Sequence, residues 1–160
     1  MLGIYAPIVE STAISFELEA PSLAEFEERI GRCSAKWVWL VAELHDRIAG
    51  YAYGSSHRER AAYRWSSETT AYVSPEFTRQ GIASALYRRL LPALAARGFC
   101  NAYAGVALPN PASVALHESV GFQCIGTFPR AGHKFNQWHD VQWFHCPLRQ
   151  DPPPEGHCEL

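Results

Sequence analysis

The sequence predicts a mixed α/β domain, with strands and amphipathic helices alternating along one 160-residue chain. Three observations point to it. Apolar and alternating segments of strand length recur between stretches of helical periodicity. The helical stretches are bracketed by residues suited to start or stop a helix. Hydrophobic residues make up 48% of the chain and charged residues 19%, the composition of a globular domain with one sizeable core.

In chain order, Leu23, Phe26 and Ile30 recur at helical spacing behind Pro21 and Ser22, and Ser22 is a natural N-cap, so a helix is predicted near 22–34. Residues 37–44 are bulky and apolar and read as a buried strand. A turn at His45 and Asp46 leads to a second strand over 48–53, which makes the pair a hairpin. A polar, Arg-rich loop covers 57–64. In the next strand, 66–73, Ser66, Glu68, Thr70 and Tyr72 share one face and Ala71 and Val73 the other, until Pro75 ends it.

Ile82, Leu86, Leu90 and Leu94 line one face of a helix opening at Gly81. Pro92 inside it removes a hydrogen bond and crowds the preceding turn, which predicts a kink, or an end before Pro92 with a short restart. Gly98 stops the helix, and 99–108 reads as a strand. Asn110 as N-cap, Pro111 at the first helical position and Gly121 at the exit bracket a short helix over 111–120. Strands at 122–128 and 139–148 follow, and the triple proline in 151–160 predicts an extended or disordered tail, leaving 1–150 as the domain.

The bulk properties exclude several classes. A net charge of -2 gives no electrostatic case for nucleic acid. No apolar run reaches the roughly 20 residues that span a bilayer, and the first residues lack a basic segment followed by an apolar core. The cysteines (Cys33, Cys100, Cys124, Cys146 and Cys158) are odd in number and scattered, which argues against a disulfide framework and for the cytoplasm. His133, His139, His145 and Cys146 lack the spacing of zinc ligands, so no metal is expected.

The most informative stretch is 73–84, where a strand enters a turn and a glycine opens a helix. The first N–H groups of a helix have no partner within it, and the helix dipole adds positive charge, so such a junction suits a pyrophosphate. Gly81 lets that backbone come close to the anion. The Gly-Lys-Ser/Thr of a nucleotide P-loop and the three-glycine dinucleotide pattern are both missing.

Arg79-Gln80-Gly81-Ile82-Ala83 resembles the Gln/Arg-x-x-Gly-x-Gly/Ala motif of the GNAT acetyltransferases, with Thr78 where that family has Gln or Arg and Arg79 beside it to supply the charge. The likeness is closer to one branch, the phosphinothricin N-acetyltransferases. It runs through Trp39-Leu-Val-Ala-Glu43, Ala61-Ala-Tyr-Arg-Trp65, Glu68-Thr-Thr-Ala-Tyr-Val-Ser74, Leu108-Pro-Asn110, His117-Glu118, Gly121-Phe122 and Trp138-His-Asp-Val141. The resemblance implies the GNAT fold, a central twisted mixed sheet flanked by helices. It implies acetyl-CoA as co-substrate, a small amino-acid-like substrate and a homodimer. Members of the family carry a further N-terminal segment that forms the first edge strand, and Met1 falls inside their first helix. The neighbouring strand edge is then left to residues upstream, to another segment or to a second subunit.

Site roles follow from the same resemblance. Glu68 is the expected general base, served by the polar strip on its strand face. Tyr87, on the side of its helix that carries Ala83 and Leu91, is expected to donate to the CoA thiolate, and His117 to assist deprotonation or meet the substrate. Tyr72, Val73, Arg79, Gln80, Gly81, Ile82, Ala83, Ser84, Asn110 and Ser113 are the expected CoA contacts, with the Val73 N–H as oxyanion donor. Phe16, Arg58, Arg60 and Tyr63 are the expected substrate contacts, an Arg fork suiting a carboxylate, with Lys134 and Trp138 walling the same pocket. Two other readings remain at this point: a non-catalytic acyl-CoA-binding domain of the same fold, and an enzyme of the family acting on a protein amine.

Overall fold

The computed structural model describes residues 1–149, so the expectation for 151–160 lies outside it. The helices are α1 (Leu2–Ser11), α2 (Leu23–Lys36), α3 (Ile82–Ala96) and α4 (Pro111–Ser119). The strands are β1 (Trp39–Leu44), β2 (Arg47–Ser56), β3 (Ser66–Val73), β4 (Asn101–Ala107), β5 (Gln123–Lys134) and β6 (Gln137–Pro147). They form one mixed sheet in the order β1-β2-β3-β4-β6-β5, in which only β3 and β4 pair in parallel. This is the mixed α/β class expected. Among the described residues no helix is long and apolar enough to cross a membrane.

Local chemistry sets the helix starts. The Ser22 hydroxyl accepts from the Glu25 N–H, while the Glu25 carboxylate accepts from the Ser22 N–H at 2.8 Å, a reciprocal cap that begins α2. Asn110 Oδ1 accepts from the Ser113 N–H at 3.1 Å and Pro111 follows at the first turn, which begins α4. α3 has no side-chain cap; Gly81 precedes it in the left-handed conformation, φ 74°.

Two cores cover the two faces of the sheet. Ile82, Leu86, Leu90 and Leu94, the face the spacing picked out, are all buried with Ala49, Ala102, Ala104 and Phe144. Each such aliphatic side chain contributes roughly 1.5–3 kcal/mol on burial. On the other face Ile4, Tyr5 and Val9 of α1 and Phe26 of α2 close over Tyr51.

Three expectations need correction. The strand read as buried over 37–44 is β1, an edge strand whose residues are half-exposed or exposed. Trp37 instead caps α2, and its carbonyl accepts from Arg97. β1 pairs only with β2, so its outer edge is unpaired among the described residues, as is that of β5 at the other end of the sheet. α3 runs through Pro92 without a restart. Pro92 and Arg88 are both exposed, so water can reach the carbonyl that loses its donor, while the buried leucines hold the helix to the sheet. Finally, β5 and β6 are longer than the segments 122–128 and 139–148. They meet at a two-residue turn, Phe135 and Asn136, at φ 52° and 58°, the same geometry as His45 and Asp46. Pro129 is tolerated because β5 is an edge strand, at a register shift between Phe128 and Gly132.

Candidate active site

The site begins where two parallel strands part. β3 and β4 pair at Ser66–Asn101, Ser67–Ala102 and Glu68–Tyr103 and then diverge, although both continue. The Thr69 hydroxyl donates to the Tyr103 carbonyl at 3.1 Å at the point of separation. On the other side of β3, the Ser74 N–H donates to the Ala49 carbonyl, which fixes the alternation of its pairing with β2. By that alternation the N–H groups of Ala71 and Val73 face away from β2, toward the gap that β4 has left. Gly50 sits opposite Val73, where a Cβ would fall 2.8 Å from the Tyr72 carbonyl oxygen. The strands can approach this closely only because residue 50 has no side chain.

A cavity of about 230 Å³ fills the base of the split. Glu68, Thr69, Thr70, Ala71 and Tyr72 reach it from β3, from both faces of the strand, while Tyr87 lines it from α3 and Asn110, Ser113 and His117 from α4 and its start. Phe16, on the loop between α1 and α2, closes it with Ile14 and Ser15. Burial raises the pKa of the Glu68 carboxyl, an effect partly opposed by the Arg58 charge. The carboxyl thereby becomes a better proton acceptor than an exposed glutamate.

Tyr87 and His117 form a buried chain. The Tyr87 hydroxyl lies 3.0 Å from His117 Nε2, and His117 Nδ1 lies 2.7 Å from the Ser113 carbonyl oxygen. A carbonyl only accepts, so Nδ1 carries the proton and Nε2 accepts from the phenol. Burial lowers the His117 pKa, with the Ser113 carbonyl opposing, and raises that of Tyr87, which keeps both neutral. The expectation left open whether His117 meets the substrate. The ring in fact packs within 5.5 Å of Phe122 and Phe144 and is only 5% exposed, reaching the cavity beside Tyr87.

The second cavity, about 610 Å³, lies along β3, the start of α3 and α4. Tyr72, Val73, Arg79, Gly81, Ile82, Ala83 and Ser84 line it with Asn110 and Ser113. Gln80 is exposed and is not among its lining residues. The first α3 hydrogen bond runs from the Ala85 N–H to the Gly81 carbonyl, so the N–H groups of Ile82, Ala83 and Ser84 have no partner within the helix. With no side-chain cap, and with open space where a Gly81 Cβ would stand, this terminus fits a phosphate group. Ile14, Ala71, Tyr72, Asn110 and Ser113 line both cavities, so the two adjoin at the split.

Arg58, Arg60 and Tyr63 are brought together, but in a separate groove of about 630 Å³ with Ser56, His57 and Glu59. The expected common pocket with Phe16 is therefore two compartments, and His57 links them: its Nδ1 is 3.8 Å from Glu68 Oε2. Lys134 and Trp138 wall neither. Lys134 turns inward and donates to the carbonyls of Val9 at 2.6 Å and Ser15 at 2.8 Å, because these end groups of α1 and its loop have no strand to satisfy them. Trp138 is exposed, with the Arg130 guanidinium 5.1 Å from its ring. Sequence reasoning missed His57, Thr69 and the Lys134 contacts; only His57, beside an Arg pair and ahead of the polar strand, left a local signal. Among the described residues no group of three His, Cys, Asp or Glu side chains is placed to hold a metal ion.

The sequence matches a family model described as an acetyltransferase (GNAT) domain over residues 3–143. It is 48% identical to the phosphinothricin N-acetyltransferase of Streptomyces coelicolor, a match covering 92% of this chain and 89% of that protein. It is 37% identical to the phosphinothricin N-acetyltransferase of Streptomyces viridochromogenes, over 91% of this chain and 80% of that protein. The fold superposes with a TM-score of 0.92 on the crystal structure of a phosphinothricin acetyltransferase from Sinorhizobium meliloti in complex with AcCoA. That pair is 32% identical and the match covers 98% of this chain and 87% of the other.

Proposed function

This chain belongs to the GNAT acetyltransferase family, and from that premise we propose that it moves acetyl from acetyl-CoA directly to the α-amine of a small amino-acid-like substrate of the phosphinothricin or methionine sulfoximine type. The observation that carries the reading is that the two cavities share a wall at the β3–β4 split. An uncapped helix terminus sits along one cavity and a half-buried carboxylate lines the other.

The N–H groups of Ile82, Ala83 and Ser84 hold the pyrophosphate of acetyl-CoA, with Arg79 beside them. Bound there, acetyl-CoA supplies an acyl group activated as a thioester. An ammonium has no lone pair, so the amine must first lose a proton. Glu68 takes it, burial having raised its affinity for one. The Val73 N–H, turned into the split, donates to the oxygen that becomes negative as the amine adds. Tyr87 stands at the inner end of the cavity to protonate the departing sulfur, its hydroxyl held by His117. Arg58, Arg60 and Tyr63 read an acidic group on the substrate from the outer groove.

We place the protein in the cytoplasm on its free thiols, Cys33, Cys100, Cys124 and Cys146. We also propose a homodimer, the assembly that the resemblance to the family implies. The activity is tested by release of CoA thiol with phosphinothricin, methionine sulfoximine and an N-terminal peptide as acceptors. Turnover with the free amino acids and none with the peptide is the expected result. Turnover with the peptide alone would overturn the substrate class, and none with any acceptor would overturn the activity.

A further inference from the structure

His57 lies just beyond the end of β2, between the inner cavity that holds Glu68 and the outer groove that holds Arg58 and Arg60. Its ring is fixed in place. It stacks on Tyr103 at 4.2 Å with the planes 14° apart, and the edges of Tyr63 at 5.8 Å and Trp143 at 6.1 Å close around it. Nδ1 is buried and has no hydrogen-bond partner, which is unusual for a ring nitrogen. The group it faces is the Glu68 carboxylate, with Oε2 3.8 Å away.

That separation has a chemical reading. A neutral imidazole with its proton on Nε2 presents a lone pair at Nδ1, and an ionised carboxylate also presents only lone pairs. Two acceptors stand apart. Once Glu68 gains a proton the pair becomes donor and acceptor, and the contact can shorten to a hydrogen bond, as catalytic contacts often do only when the substrate is bound.

We infer that His57 relays protons for Glu68, taking the one that Glu68 removes from the substrate ammonium and passing it to water in the outer groove. The inference rests on the acetyltransfer reading above, with Glu68 as base. The balance requires such an exit. An ammonium that becomes an amide gives up two protons as its N–C bond forms. One goes to the sulfur as the C–S bond breaks, and the other must leave the site. In the relay the Glu68 carboxylate gains an O–H bond from the ammonium. That bond then breaks as Nδ1 uses its lone pair to form N–H. The resulting imidazolium gives its Nε2 proton to groove water, which leaves a neutral ring protonated on Nδ1, and that proton exchanges through water back to Nε2 before the next turnover.

The charged and titratable groups around His57 fit this direction of transfer. Burial, and then the Arg58 charge from its own segment, disfavour the imidazolium, so the proton does not rest there. Glu68 faces it from β3, Tyr63 from the following turn and Tyr103 from β4, with His145 of β6 packed behind Tyr103 at 5.0 Å. Burial lowers the His57 pKa and raises that of Glu68, so the two approach each other, which favours exchange of a proton across the 3.8 Å contact.

The test is His57→Ala, which removes both nitrogens and vacates the ring's place on Tyr103, with His57→Gln as a second variant should the first fold poorly. The relay predicts that kcat falls about tenfold at neutral pH and low buffer, less than the loss of a general base itself. KM for both substrates stays within about twofold, since His57 binds neither. Added imidazole then restores kcat in proportion to its concentration, which a structural role would not produce. An unchanged kcat, or a loss that imidazole leaves in place, overturns the relay while the acetyltransfer reading stands. A wild-type protein that releases no CoA thiol overturns that reading and the relay with it.

Discussion

The Tyr87 hydroxyl and His117 Nε2 are 3.0 Å apart in the core, with His117 Nδ1 2.7 Å from the Ser113 carbonyl oxygen on the far side of the ring. The phenol proton therefore already has an acceptor before any chemistry occurs. Donation to the leaving sulfur requires it to turn from the histidine to the cavity, which links the two residues energetically.

Tyr87→Phe should then show two separable losses. Removing the donor leaves Nε2 buried without a partner, which costs about 1–3 kcal/mol of stability and several degrees of Tm in a domain of this size. Removing the acid should lower kcat on the order of 10²-fold. Steady-state thiol release and a thermal melt measure them independently. A folded variant with wild-type kcat removes Tyr87 from the proton chemistry and leaves it a packing residue.

Stability should depend on pH through His117. Its pKa is lowered by burial, so the unfolded chain binds a proton more readily than the folded one. The sign follows. The stabilisation is present above the unfolded value of 6.5 and is lost as pH falls toward the folded value. His57 adds a term of the same sign, whereas Glu68, with a raised pKa, contributes the opposite sign from its ordinary 4.5 upward. Melting curves between pH 8 and pH 5.5 should show Tm falling on acidification. His117→Gln should flatten that slope while retaining the Glu68 and His57 contributions. An unchanged slope in the variant would mean that His117 does not titrate on unfolding in this window.

Much of the fold was legible because its signals are local. Ser22 with Glu25, Asn110 with Pro111, and the four apolar residues of α3 state the helix starts and the buried face within a few positions of sequence. The turn at Phe135 and Asn136 was not legible, because a phenylalanine is no turn signal, although the backbone is that of His45 and Asp46. At the site, glycine marked the α3 terminus and alternation put Glu68 on a polar strand face, while the resemblance to the family singled it out as base. The division of the substrate region into two compartments did not, since it depends on where β4 leaves β3, and no residue states that divergence locally. Lys134 was missed for the same reason: its partners, Val9 and Ser15, lie more than a hundred positions away.

Gly81→Asp should abolish or greatly weaken acetyl-CoA binding. Residue 81 holds φ 74°, a conformation unfavourable to a side chain, and aspartate would add negative charge beside the unpaired N–H groups of α3. Calorimetric titration of a cooperatively melting variant is the check. Wild-type affinity would put the phosphate cradle elsewhere.

Lys134→Met should remove two buried hydrogen bonds and leave the Val9 and Ser15 carbonyls without their donor. The cost is about 1–3 kcal/mol for each carbonyl that finds no water. Because Ser15 and Phe16 line the Glu68 cavity, the loosened loop should also raise KM for the amino acid. KM for acetyl-CoA should change little, as its expected cradle is at α3. Equal increases in both constants would show general softening of the fold instead of a local wall.

The last prediction separates charge reading from loop structure. Arg60 is exposed in the outer groove with Arg58 and Tyr63, and Arg58 also lies 5.8 Å from the Trp143 ring, so the groove is charged at its mouth and aromatic at its wall. A guanidinium donating to a substrate carboxylate or phosphinate contributes roughly 1.5–3 kcal/mol, and each 1.4 kcal/mol is about tenfold in affinity. Arg60→Ala should raise KM for a free acidic substrate about tenfold or more. It should affect far less the same substrate with that acidic group amidated, whose charge is already gone. The comparison within one variant matters, because disturbing the turn at Ala61–Tyr63 would damage both substrates alike. Equal losses for acid and amide would therefore return Arg60 to the status of a surface charge. A loss confined to the acid would tie the outer groove to recognition of a small amino acid, because a peptide acceptor, whose α-carboxylate is already an amide, would offer the guanidinium no such charge.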